Sequence, residues 1–147
     1  ISVIQIWNGS KTYIDAEKTI KKAIKKFYEI GSNEIFESYY NYGTLNYLKG
    51  NYQKAIEYFE YALEEVPETL TMDVTLLHIN KRICECAINP EKISDLEIYI
   101  LKSLNKSEIL QDPWVRFQLE YNLKNIEVSE TYITIEEWNE ILMKLTI

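Results

Sequence analysis

Turn-forming residues are scarce in this chain. Its 147 residues include only four glycines and three prolines, whereas an all-β architecture needs a turn signal roughly every 8–12 residues. Long helices are therefore expected. Histidine and cysteine are scarcer still: one histidine and two cysteines, Cys84 and Cys86, are too few for a zinc knuckle, a haem-attachment box or a disulfide scaffold. On a helix those cysteines lie about 200° apart around the axis, so they neither share a metal nor bond to each other. Packing is the expected role of at least one, and no metal or other cofactor is expected. No run of about 18 apolar residues occurs, so no membrane-spanning helix is expected. The stretch from Ile1 to Trp7 is too short for a signal peptide and has no basic region before it. The cytosol is the default compartment, and the sequons beginning at Asn8 and Asn105 are read as chance.

Positive charge is also short. A net charge of −7 and a pI near 4.8 argue against nucleic-acid binding, whose affinity comes mainly from Lys and Arg neutralising phosphates. The deficit is uneven: residues 1–26 carry net +4, residues 27–70 net −6 and the remainder net −5. The lysines of the first helical stretch, Lys18, Lys21, Lys22, Lys25 and Lys26, suit either a solvated face or a field that steers a partner. With 46% hydrophobic and 27% charged residues the chain has the composition of one soluble domain with a core, and disorder of the whole is excluded.

The middle of the chain is the most informative part. From Asn33 to Pro67, two helix-length patterns flank the turn signal Lys49-Gly50-Asn51, which reads as a helical hairpin. In the second half Tyr52, Ala55, Phe59, Ala62 and Leu63 recur at spacings of three and four and share one helix face. Ala55 and Ala62 allow a neighbouring helix to approach closely, Phe59 fills the space between them, and Pro67 ends the helix. Gly43 lies mid-helix in the first half between Tyr39 and Tyr47. A glycine there is about 1 kcal/mol less favourable than alanine, which implies a packing reason.

Gly43, Tyr52 with Ala55, Phe59, Ala62 and Pro67 together resemble the tetratricopeptide repeat, with Tyr39 as the expected early aromatic and Tyr42 where that family prefers leucine. The pattern recurs. Tyr13, Ala16, Ile20, Ala23 and Ile24 reproduce the stripe 39 residues upstream, and Ile93, Leu96, Ile100, Ser103 and Leu104 reproduce it, degenerately, 41 residues downstream. A period near 40 is similar to long-helix variants of the family. The resemblance implies an all-α, right-handed superhelical solenoid of antiparallel helix pairs, a single domain over residues 1–147. Its parts are the second helix of a partial repeat (13–30), the best repeat (33–67), a degenerate repeat (71–107) and a divergent repeat or cap (112–147). In the last part Asp112 is an N-cap with Pro113 at the first helical position, in a helix to about Ile126. Thr134 and Glu137 form a capping box before the stripe Trp138, Leu142 and Leu145. Because the chain begins inside a repeat with Ile1, Val3, Ile4, Ile6 and Trp7 uncovered, it is expected to be a segment of a longer protein.

No catalytic set emerges. Asn8-Gly9-Ser10-Lys11-Thr12 lacks the second glycine and the preceding strand of a phosphate loop, and His78 has no acidic or nucleophilic neighbour in a recognised arrangement. The expectation is a non-enzymatic scaffold that binds a protein or peptide. By resemblance, the first helix of each pair lines a concave groove, which places Glu37, Tyr40, Thr44 and Tyr47 on one helix and His78, Lys81, Arg82 and Glu85 on the next. Each set keeps the three- and four-residue spacing of a single face. The alternative for Tyr40 and Tyr47 is simple packing between helices. Family members that grip a chaperone's terminal carboxylate use Lys, Asn and Arg; here Lys81 and Arg82 supply half of such a clamp, while Thr44 and Tyr40 replace the asparagine and the first lysine. A peptide with an aromatic or aliphatic anchor fits this set better. Two further readings stay open: a regulatory domain of a larger signalling ATPase or peptide-pheromone receptor, and a module that self-associates through exposed repeat ends.

Overall fold

The computed structural model describes residues 10–129, which are helical between short turns: α1 (Ser10–Ile30), α2 (Ile35–Leu48), α3 (Tyr52–Glu65), α4 (Thr71–Ile88), a 3-10 turn (Pro90–Lys92), α5 (Ile93–Ser103), α6 (Ser107–Gln111) and α7 (Pro113–Ser129). The stretch Ile1 to Trp7, the pair Thr134 and Glu137, and the stripe Trp138, Leu142 and Leu145 lie outside the described residues. Two compact units divide the chain, Ile1–Leu77 and His78–Ile147, with the boundary inside α4.

In the first unit two glycines make the turns. Gly31 and Gly50 adopt φ of +66° and +79°, a left-handed conformation that suits glycine best. Each closes the helix before it in the same way. The Gly31 N–H donates to the Tyr28 carbonyl and the Ser32 N–H to Phe27, while Gly50 donates to Tyr47 and Asn51 to Asn46. These paired bonds satisfy carbonyls that the helix end leaves open. α3 stops differently: Val66 is extended at φ −67°, ψ 132°, the conformation forced on a residue before proline.

The α2–α3 hairpin is held along the stripe that the spacing predicts, with Ala55, Phe59 and Ala62 fully or almost fully buried. Gly43 is what seats the Phe59 ring. A Cβ at position 43 would lie 2.6 Å from Phe59 Cε1 and 2.7 Å from Cδ1, closer than real contacts allow. The helix propensity lost at Gly43 is thus offset by burial of a whole aromatic side chain, worth about 1.5–3 kcal/mol. α1 adds a second seam, in which Ala16 and Ile20 pack with Tyr42 and Leu45, bordered by Tyr13, Ile24 and Tyr58.

In the second unit α5 buries Leu96, Ile100 and Ser103, and α7, which packs on α5 and α6, buries Val115, Leu119, Asn122 and Ile126. Ser103 stands where the hairpin has an alanine. Its hydroxyl donates to the Tyr99 carbonyl at 2.8 Å, so no buried donor is left open. Asp112 caps α7 by accepting from the Trp114 and Val115 N–H groups at 3.0 and 3.1 Å, with Pro113 at the first helical position. On α4 both cysteines are buried, and burial pushes each thiol up to about 12.

Candidate functional site

The eight residues singled out on the two helix faces fall in different units, four in each. On α2, Glu37 is exposed in the first turn, and Tyr40, Thr44 and Tyr47 are half-buried. Tyr40 sets its ring edge against Phe59 at 5.9 Å, Tyr47 meets Tyr52 at 5.8 Å, and the Thr44 hydroxyl donates to the Tyr40 carbonyl. Both tyrosines therefore contribute to the hairpin as well as to its surface.

Sequence reading missed a second polar arrangement in this unit. The Tyr42 hydroxyl donates to Glu17 Oε1 at 2.7 Å, and Lys21 and Lys49 reach the same carboxylate at 3.5 and 3.6 Å. Lys54 stands 5.3 Å over the Tyr42 ring. The Tyr42 bond holds the Glu17 carboxyl below its ordinary value; burial opposes this, and Lys49 and Lys21 reinforce it. Tyr42 itself is pushed up to about 12, first by burial and then by its bond to Glu17. The tyrosine that replaces the family's leucine thus keeps the buried body and adds a polar tie from α2 to α1. Nothing in the spacing of either helix pairs positions 17 and 42.

On α4 the other four residues converge. His78, Lys81, Arg82 and Glu85 line one cleft of about 330 Å3, closed on its other side by Asp95, Ile98, Tyr99 and Lys102 of α5 and by Lys92 of the 3-10 turn. Tyr99 is its centre. The Arg82 guanidinium lies 4.1 Å from the Tyr99 ring centroid, Lys106 lies 5.7 Å from it, and the His78 ring packs at 5.6 Å. A cation over a tyrosine face is attracted by the ring quadrupole, by about 0.5–1 kcal/mol at an exposed position. Arg82 Nη1 also donates to the His78 carbonyl at 3.2 Å and lies 3.4 Å from His78 Nδ1. Because a guanidinium cannot accept, His78 can bond Arg82 there only in the tautomer whose Nδ1 carries no proton.

The charges of the cleft are unevenly matched. Glu85 is held by Lys92 at 3.3 Å and by Lys81 at 4.0 Å. Among the described residues neither Arg82 nor Lys102 has an ion-pair partner. The potential registers on His78, whose imidazole is lowered from its ordinary value by burial first and then by Arg82, Lys81 and Lys106. The α5 half of the cleft was legible in principle, since Asp95, Tyr99 and Lys102 are spaced by four and three and share a face. That face was overlooked because Leu96, Ile100 and Ser103, on the other side of α5, carried the repeat signal.

Among the described residues no group of three or more His, Cys, Asp or Glu is placed to hold a metal ion, and no helix is long and apolar enough to cross a membrane. No curated protein and no solved structure matches the chain. Residues 36–69 match the tetratricopeptide repeat model. That span begins in the first turn of α2 and ends just beyond Pro67, so it takes in Gly43 beneath Phe59 and the buried Ala55 and Ala62. The α2–α3 hairpin is a tetratricopeptide repeat, and the described residues around it form helices and no strand.

Proposed function

We propose that this chain is a non-catalytic scaffold that binds a protein or peptide segment, with the unit-two cleft between α4 and α5 as the principal contact and the α2 face of Glu37, Tyr40, Thr44 and Tyr47 as a second one. Tetratricopeptide and related repeats present extended surfaces to protein partners, and this chain carries such a repeat. The observation that carries the reading is the half-buried Arg82 on Tyr99: a fixed cation flanked by the apolar Ile98 is an anchor of the kind that dominates binding energies. The test is peptide-display selection on the whole chain, followed by affinity measurement on a Tyr47→Ala, Arg82→Glu double variant whose helicity is checked by circular dichroism. A convergent peptide motif that the folded variant binds at least tenfold more weakly is expected. Failure to select a motif, or equal binding by the variant, removes the reading.

One observation favours a second reading, self-association. Trp114, Phe117 and Tyr121 are exposed at spacings of three and four on α7, opposite its buried residues. An aromatic stripe left in water is a pairing surface for another copy. Sedimentation at high concentration decides it, since a monomer there excludes this route.

A further inference from the structure

Resting on the reading of the cleft as a peptide-binding site, we infer that its ligand is a phosphorylated side chain: the cleft is a receptor for a phosphate dianion carried on a peptide segment. The argument is one of unpaired charge in a built geometry. Four cations line the cleft, Lys81, Arg82, Lys92 and Lys102, against the two carboxylates Glu85 and Asp95, which leaves an excess of two positive charges. This excess stands in a chain whose net charge is −7. Lys81 and Lys92 are turned toward Glu85, so that carboxylate is already compensated. Arg82 and Lys102 have no ion-pair partner among the described residues. Lys81 and Lys92 against Glu85 leave one of the two excess charges, and Arg82 and Lys102 against Asp95 leave the other, with that guanidinium and that ammonium the cations held in no ion pair among the described residues.

Arg82 is also oriented in advance. Its contact with the Tyr99 face and its two contacts to His78, both through Nη1, fix the plane of the guanidinium. A planar fork held in this way bonds an oxyanion at little further loss of side-chain freedom. A lone carboxylate would neutralise one of the two charges. A phosphate monoester carries about −1.5 to −2 at pH 7 and three strong acceptor oxygens, so it neutralises both and bonds Arg82 and Lys102 together. The 330 Å3 volume admits the group with its side chain, and Ile98 offers an apolar wall to a neighbouring residue. Burial first, and then Arg82, Lys81 and Lys106, lower the His78 imidazole from its ordinary value and so disfavour its charged form.

The experiment uses the whole chain and two degenerate peptide libraries, one with a fixed central phosphoserine and one with serine in its place, together with inorganic phosphate. The phosphoserine library is expected to bind at least tenfold more tightly than the serine library. Arg82→Gln should reduce that preference about tenfold and Lys102→Ala about threefold, while Arg116→Gln, whose side chain pairs with Glu120, should leave it unchanged. Inorganic phosphate should compete only at much higher concentration than the phosphopeptides. Equal binding of the two libraries with Arg82 still required overturns the inference and leaves the peptide-binding reading intact. Equal affinity for inorganic phosphate and phosphopeptide overturns the peptide as the source of the anion. A preference unchanged in folded Arg82→Gln overturns the site.

Discussion

The two units treat their polar groups in opposite ways. In the first, Glu17, Tyr42, Lys21 and Lys49 meet one another, and the tyrosine that departs from the repeat's usual residue is consumed in joining α1 to α2. In the second, Arg82 is braced by Tyr99 and His78 with no ion-pair partner among the described residues, beside a cleft of about 330 Å3. Aromatic rings serve both, with different consequences. Tyr39, Tyr58 and Tyr61 contact one another at 5.4 to 5.9 Å and close the hairpin's surface, whereas Tyr99 holds a cation at its face and leaves that cation's charge unspent. Similar helical material yields one unit whose polar groups bond internally and, on the proposed reading, one that binds through groups it leaves unmatched.

Mutations at the hairpin seam should produce the largest effects. Ala55→Glu places a charge at a site with no solvent exposure, which is expected to remove several kcal/mol and to abolish cooperative unfolding of the first unit. Urea denaturation followed by circular dichroism measures it. Gly43→Ala gains about 1 kcal/mol of helix propensity but drives a methyl into Phe59, and overpacking of this kind costs about 1–3 kcal/mol. A net loss is expected. The double variant with Phe59→Leu should recover part of it, and a single variant more stable than wild type would mean that the ring moves freely.

Tyr42→Phe removes the hydroxyl and keeps the buried ring. A loss of about 1–2 kcal/mol at pH 7 is expected for a bond to a partly exposed carboxylate. The sign of its pH dependence follows from Glu17, whose carboxyl is lowered in the folded chain from an ordinary value of 4.5. The stabilisation is complete above that value and disappears as the pH falls through the lowered one. Wild type and Tyr42→Phe should therefore differ at pH 7 and draw together as the pH falls below the ordinary carboxylate range, as read from denaturation midpoints. At the alkaline end the tie persists up to pH 10 and is lost as the pH rises toward the raised value of about 12 for Tyr42. The smallest effect on stability should come from Arg82→Gln, below about 1 kcal/mol, because only the ring contact and its bonds to neighbouring His78 are given up. A loss as large as that of Tyr42→Phe would erase the contrast between the units.

Much of the fold was legible because it rests on spacing. Ala55, Phe59 and Ala62, the turn at Gly50, the Asp112 cap and the stop at Pro67 each follow from local rules that act within one or two turns of helix. The site was half legible for the same reason. The α4 residues share a period that the spacing singles out and they line the cleft, whereas Tyr99 and Lys102 reach it from another helix and only tertiary packing brings them there. Glu17 was beyond the reach of periodicity altogether: its partner lies 25 residues away, and a carboxylate on a lysine-rich helix has an ordinary explanation in solvent.

The buried cysteines make α4 its own timekeeper. With thiols pushed up to about 12 and shielded from solvent, neither Cys84 nor Cys86 reacts while the helix is packed, since the thiolate is the reactive form. Alkylation then proceeds only through openings, at a rate set by how often each side of the helix is exposed. As the two residues project about 200° apart around the helix axis, their separate labelling rates report on two different faces of one helix, and a chain with a single histidine and no engineered probe carries a clock on each.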